Sequence, residues 1–277
     1  MTLLLIGVSI AVYLIVAVGP APEPVGFVDV DTDREVPAKL TPALEWAAIP
    51  CEVVQGRPLT TSEVSATYYE SGEPYACDAA SEGPPVFADK RVRAAVVFSM
   101  FLHDGLFHLG LNMLFLWVFG NNIEDRLGHV AFLIFYLVAG IVATGTYIAF
   151  QSSSTVAILG ASGAVAAVMG SYLVWYPDAP IRTLVFLVLV DIRARWFLGT
   201  WFAIQFFTWT GPGAWIAHVA GFVVGVAFGR LFRRFQPRLR LRPGQRAPAW
   251  DQTGGAGHGP YPHLDEVWLE PHHEQYE

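Results

Sequence analysis

Apolar side chains run almost without a break over residues 2–18 of this 277-residue chain. A bilayer-crossing helix needs roughly 17–25 apolar residues, so this run predicts a first transmembrane helix. It lacks the basic start of a secretory signal peptide, which favours a retained helix. Residues 19–94 break the pattern. They are rich in Pro, Glu, Asp, Ser and Thr, and their apolar positions are scattered, which predicts a long aqueous loop with short structured pieces. From Ala94 the apolar pattern resumes. It predicts a helix over 107–119, a polar turn over 121–128 and a full-length span over 130–150. A serine-rich turn at 151–155 leads into a span over 156–176 that is rich in small residues and ends at Pro177. The stretch 181–190 is apolar but short, and Asp191, Arg193 and Arg195 cut it off. It is placed near the interface, with the fifth crossing over 196–209. Gly211, Pro212 and Gly213 form a turn before a last span over 214–232.

The pattern predicts an all-α polytopic membrane protein of six crossings with a long loop after the first. Composition agrees: 53% of residues are apolar and only 15% charged, against about 25% charged in an ordinary soluble domain. A soluble enzyme is excluded. The net charge of −7 hides an asymmetry, because acidic residues dominate 19–94 and arginines dominate after Gly229. Arg230, Arg233, Arg234, Arg238, Arg240, Arg242 and Arg246 directly follow an apolar span. They read as a cytoplasmic anchor under the positive-inside rule, not as a nucleic-acid patch. With six crossings both termini are then cytoplasmic and the acidic loop is extracytoplasmic. The arginine excess over Lys39 and Lys90 points to a GC-rich bacterial genome, hence a bacterial plasma membrane. Four regions result: a first helix (1–18), an acidic loop (19–94), a membrane core (95–235) and a basic, then disordered tail (236–277). Cys51 and Cys77 both lie in the loop, where they either pair or remain thiols; the sequence leaves both open. No zinc-ligand pattern is present, and the tail histidines read as solvated.

Polar side chains inside spans are costly and mark functional sites by default. Few exist here: His108 and Asn112 in the second helix, Ser162 in the fourth, His218 in the sixth. All three helices run inward under the predicted topology. At 1.5 Å per residue, Asn112 lies about 12 Å past Asp104, Ser162 about 12 Å past Ser154 and His218 about 9 Å past Pro212. They share one depth. Ala217, Gly221, Gly225 and Gly229 recur every fourth residue along the sixth helix, and the fourth carries Gly160, Ala161, Gly163, Ala166, Ala167 and Gly170. Small faces allow close backbone approach, and such a crossing brings Ser162 and His218 within hydrogen-bond reach.

These residues resemble the rhomboid family of intramembrane serine proteases. Gly160-Ala161-Ser162-Gly163 is similar to its Gly-x-Ser-Gly motif, and residues 217–225 (AHVAGFVVG) to its Ala-His-x-x-Gly-x-x-x-Gly helix. His103, His108 and Asn112 match a His-x4-His-x3-Asn pattern. LWVFGNNIEDRLG, residues 116–128, resembles the second helix and its following turn, with Glu124 and Arg126 in Glu-x-Arg-x-Gly. The resemblance covers about residues 98–232 and implies a six-helix rhomboid-like bundle. It implies Ser162 as nucleophile and His218 as general base, a dyad with no orienting acid. Asn112, His108 and the Ser162 N–H would stabilise the oxyanion, and His103, Gly160, Gly163, Gly221 and Gly225 would support them. The implied partners are transmembrane protein substrates in a lipid bilayer, with no nucleic acid, cofactor or metal. The family's Trp-Arg loop motif after the first helix is not evident.

Glu124 and Arg126 are expected to pair and fix the turn after the second helix, and Trp196, Trp201, Trp209 and Trp215 to anchor at the interface. Two rival functions are weaker. A non-catalytic rhomboid-like protein that binds transmembrane helices would lack the serine or the histidine, and both are present. A transporter using His103, His108 and His218 would show acidic intramembrane ligands or inverted repeats, and neither is evident.

Overall fold

The computed structural model describes residues 1–19, 27–29, 34–35, 40–70, 74–78, 83–185, 188–207 and 214–233. The predicted disordered tail, Trp209 and the Gly211–Gly213 turn lie outside the described residues. Among those described, the chain is mainly helical, with two short antiparallel strand pairs that the all-α expectation lacks.

The apolar run at the start forms α1 (Thr2–Val18). The acidic segment carries α2 (Thr41–Trp46), α3 (Pro50–Gln55) and α4 (Thr61–Ser65), and α5 (Val92–Phe98), α6 (Leu106–Phe115) and α7 (Asn121–Leu127) follow. A π-helical turn over Leu116–Gly120 joins α6 to α7 without a break. Residues 121–128 are therefore not the polar turn predicted; the chain stays helical to Leu127, because the buried Ile123 and Glu124 continue the packed face. Then come α8 (His129–Phe150) and α9 (Ser162–Trp175). By length and composition, Leu106–Leu127 and His129–Phe150 are long and apolar enough to cross a membrane. Thr2–Ala17, Val92–Phe101, Ser162–Trp175 and Trp215–Leu231 are shorter apolar helices.

The short apolar stretch after α9 is a hairpin of β3 (Pro180–Val185) and β4 (Val188–Arg193), in register from Pro180–Arg193 to Val185–Val188. Its β-branched composition and its crosswise charge pair, Arg182 Nε to Asp191 Oδ1 at 3.1 Å, suit paired strands. The chain then continues into α10 (Ala194–Gln205) and α11 (Ala214–Leu231).

Helix α9 is the centre of the bundle. Every residue from Gly163 to Tyr172 is buried, and α11 and α8 flank it most extensively. The contact with α11 is backbone on backbone. A Cβ on Gly221 would stand 2.0 Å from the Gly163 carbonyl oxygen, and one on Gly225 would stand 1.9 Å from that of Ala167. Polar side chains lock the same seam: Ser171 Oγ donates to the Gly225 carbonyl at 2.9 Å and Trp175 Nε1 to that of Gly229 at 2.8 Å.

The expected Glu124–Arg126 pair does not form. Glu124 instead accepts from the Met1 amine and from the Thr2 N–H (2.7 Å) and meets the His129 ring, which ties the start of α1 to α7. The Arg126 guanidinium lies 4.7 Å from the Trp175 ring centroid, where a cation gains from the π face.

The acidic segment is more folded than a solvated loop. It holds β1 (Phe27–Asp29) paired with β2 (Arg34–Glu35), and α2 (Thr41–Trp46), α3 (Pro50–Gln55) and α4 (Thr61–Ser65). Leu44, Ile49, Cys51, Leu59, Val64 and Val86 form a small core of their own. Cys51 and Cys77 are joined in a disulfide. Thr60 and Glu63 make a capping box at the start of α4. Burial alone would push the Glu63 carboxyl up, but the forked Arg57 pair and the Thr60 and Asp78 N–H groups hold it below its ordinary value. Lys90 and Glu52 form a second, buried pair, in which burial draws both toward neutrality.

Two outcomes test these contacts by thermal unfolding in detergent. Gly225→Ala should destabilise by about 1–3 kcal/mol, since overpacking forces the backbones apart, whereas Gly145→Ala, with open space around its Cβ position, should be neutral. Cys51→Ser should cost the acidic segment about 3 kcal/mol, as expected for a closed loop of this size.

Candidate active site

The chain approaches Ser162 in extended form, not as helix. The span predicted over 156–176 begins only at Ser162, the first residue of α9. The preceding segment is held by the acidic segment: Ile158 N–H donates to the Ala48 carbonyl at 2.8 Å, Cys51 N–H to that of Ser154 at 3.0 Å, and Thr155 N–H to that of Pro74 at 2.9 Å. Ser154 and Thr155 are wholly buried there. These pairings satisfy backbone groups that helix would otherwise have satisfied. The consequence is local to the serine. At a helix start the first N–H groups have no intrahelical partner, so Ser162, as the first residue of α9, carries its hydroxyl and its N–H at the positive end of the helix dipole.

Gly160 prepares that start. Its φ of +117° is one that side chains rarely adopt, and its N–H donates to the Ser99 carbonyl at 2.8 Å. The space a Cβ would take is filled by the His108 ring, whose Cε1 and Nε2 would lie 2.8 Å from it.

The α9–α11 contact then sets the pair. Ser162 Oγ and His218 Nε2 are 2.8 Å apart. Gly163 and Gly221, one residue beyond the serine and three beyond the histidine, are the point of backbone contact, so the close approach and the hydrogen bond are one feature. On its other side His218 Nδ1 lies 2.8 Å from Gln205 Oε1 on α10. Trp201 covers the imidazole, ring centroids 6.1 Å apart, and also packs on Phe222. Trp201 is thus half-buried against the site, while Trp196 is exposed.

The remaining predicted residues divide. His108 Nδ1 accepts from the Asp104 N–H at 3.4 Å, which leaves the proton of a neutral ring on Nε2, the nitrogen beside Gly160. His103 stands against His108, ring centroids 5.2 Å apart, and its Nε2 faces the Ala161 N–H at 3.5 Å. Asn112 is buried one turn below His108 and donates from Nδ2 to the His108 carbonyl at 2.9 Å, so one of its two N–H groups is spent within its own helix. Glu124 and Arg126 lie with α1 and α9 as described, away from the serine.

Gln205 was not among the residues read from the sequence. The rule that singles out polar side chains within spans applies to it as fully as to His218. It is the one amide of the fifth predicted span, residues 196–209.

Comparison with known proteins completes the picture. The family model described as Rhomboid domain matches residues 91–235, a little over half the chain. The chain belongs to the rhomboid family, whose members are polytopic helical membrane proteins. Among similar proteins are the mitochondrial Rhomboid protein 1 of Saccharomyces cerevisiae, 29% identical over 57% of this chain and 47% of that protein. The mitochondrial presenilin-associated rhomboid-like protein of Bos taurus is 31% identical over 39% of this chain and 29% of its own. Rhomboid protease GlpG of Salmonella choleraesuis is 32% identical over 46% and 44%. The chain thus spans less than half the length of each. Two of the three are mitochondrial proteins, so the bacterial origin read from the arginine excess is not supported.

Gly160→Ala should cost about 1–3 kcal/mol in backbone strain and displace His108. A shift of about 1 Å at a reacting centre lowers rate up to about a hundredfold. Cleavage kinetics beside thermal unfolding would separate the two effects.

Proposed function

We propose that this protein is an intramembrane serine endopeptidase that hydrolyses a peptide bond near the outer end of transmembrane substrates. The observation that carries the reading is the 2.8 Å contact between Ser162 Oγ and His218 Nε2 at the start of a buried helix. A serine hydroxyl is a weak nucleophile until an adjacent base takes its proton. His218 takes that proton as Oγ bonds to the substrate carbonyl carbon. The carbonyl oxygen becomes an oxyanion, stabilised by the Ser162 N–H at the start of α9 and the Nε2–H of His108. Donors so placed typically contribute a few kcal/mol each in the transition state. Asn112 contributes through its remaining N–H. The C–N bond then breaks, His218 returns its proton to the leaving amine, and water hydrolyses the acyl-enzyme by the same route.

Six crossings put the serine on the outer side, at the residue where α9 begins. The acidic segment is then extracytoplasmic and both termini are cytoplasmic. A site this shallow admits the hydrolytic water, and a substrate helix with small or helix-breaking residues unwinds into it. The relative whose name calls it a rhomboid protease supports the same reading.

The test is cleavage of a transmembrane substrate by purified protein in detergent. Ser162→Ala and His218→Ala should each lower the rate by about a thousandfold or more with folding intact. Equal cleavage by all three proteins would mark a contaminant, and no cleavage by the wild type across several substrates would favour a non-catalytic, helix-binding protein.

A further inference from the structure

Among the described residues His218 has two polar partners, and only one is the serine. The other, Gln205, is 9% exposed and comes from a different helix, α10. Its own orientation is decided by a third group. Gln205 Nε2 donates to the Trp201 carbonyl at 3.2 Å. A backbone carbonyl only accepts, so the amide nitrogen must face it and the amide oxygen must face the imidazole. An amide oxygen also only accepts. The contact of Gln205 Oε1 with His218 Nδ1 at 2.8 Å therefore requires a proton on Nδ1. A neutral imidazole carries one N–H, so Nε2 keeps its lone pair, and that lone pair points at Ser162 Oγ. The opposite tautomer would offer the serine an N–H and no base.

We propose that Gln205 is a positioning residue that holds His218 in the Nδ1–H tautomer, with Nε2 poised as the base toward Ser162. The inference rests on the hydrolytic reading of that pair and assigns it a third member. The chain of constraint runs from the Trp201 carbonyl through the amide to the ring, and Trp201 also supplies the indole that covers the ring. One turn of α10 thus sets both the plane and the protonation of the base. An amide does this without adding a negative charge beside the imidazole, unlike an orienting carboxylate.

The test uses the full chain in detergent micelles with ¹⁵N-labelled histidine, the His218 signals being assigned by their loss in His218→Ala. At a pH where the ring is neutral, the wild type should show a protonated Nδ1 and an unprotonated Nε2. Gln205→Met keeps length and volume but removes the acceptor. It should move His218 toward the Nε2–H form and lower kcat about tenfold to a hundredfold, with KM unchanged. Gln205→Glu keeps an acceptor oxygen at the ring and loses the donor to the Trp201 carbonyl. It should retain the Nδ1–H form and stay within about tenfold of wild-type kcat. An Nε2–H signal in the wild type, or an unchanged tautomer in Gln205→Met, would overturn the proposal. So would Gln205→Glu shifting the tautomer as far as Gln205→Met does, since the amide would then serve only to pack α10. The spectrum needs no turnover. A wild type that cleaves nothing would sink the protease reading, while the tautomer assignment would still be decided by the NMR.

Discussion

The contact of α9 with α11 is the constraint from which the rest of the site follows. Two helices approach until Gly221 and Gly225 touch the carbonyls of Gly163 and Ala167, a distance that leaves no room for a methyl group. In a bilayer, lipid tails are as apolar as leucine, so helices gain little from simple burial and rely on close packing and hydrogen bonds. The seam supplies both, with Ser171 and Trp175 bonded across it. Ser162 and His218 sit at the end of it where α9 begins. Their 2.8 Å separation is set by the glycines next to them and would widen with any residue that parted the backbones.

A second constraint acts on the serine from outside the bundle. The extended segment before Ser162 is paired with the acidic segment on one side and with Ser99 on the other, and Gly160 turns it sharply into α9. A helix beginning at Ser162 has N–H groups beside the hydroxyl that its own carbonyls do not take; a helix passing through it would have spent them. The disulfide-closed segment thus bears on the chemistry through the backbone, although among the described contacts it contributes no side chain to the Ser162–His218 pair.

Much of this was legible in the chain. Apolar runs located most helices. The rarity of polar residues within them picked out His108, Asn112, Ser162 and His218. The four-residue spacing of small residues indicated which helices touch, because that spacing has no use except close approach. Other features were misread for definable reasons. Residues 156–161 are apolar and small, as helix or strand alike would be, and pairing with Ala48, over a hundred residues earlier, decided the matter. Residues 181–190 read only as a short apolar stretch near the interface, and their register with one another made them a hairpin. Glu124 and Arg126, adjacent in a motif, went to α1 and to the Trp175 ring because their side chains leave opposite sides of α7.

By itself the sequence determined that the chain is a membrane protein, where its apolar helices fall, and which side chains are too costly to be there without purpose. These are properties of composition and period, carried by each segment alone. Only the tertiary structure decided what those side chains meet. That Gln205 faces His218, that His108 fills the place of a Gly160 side chain, and that the acidic segment holds the strand before Ser162 are pairings between distant segments. No local pattern encodes them, because a hydrogen-bond partner is chosen by distance and direction in the folded chain.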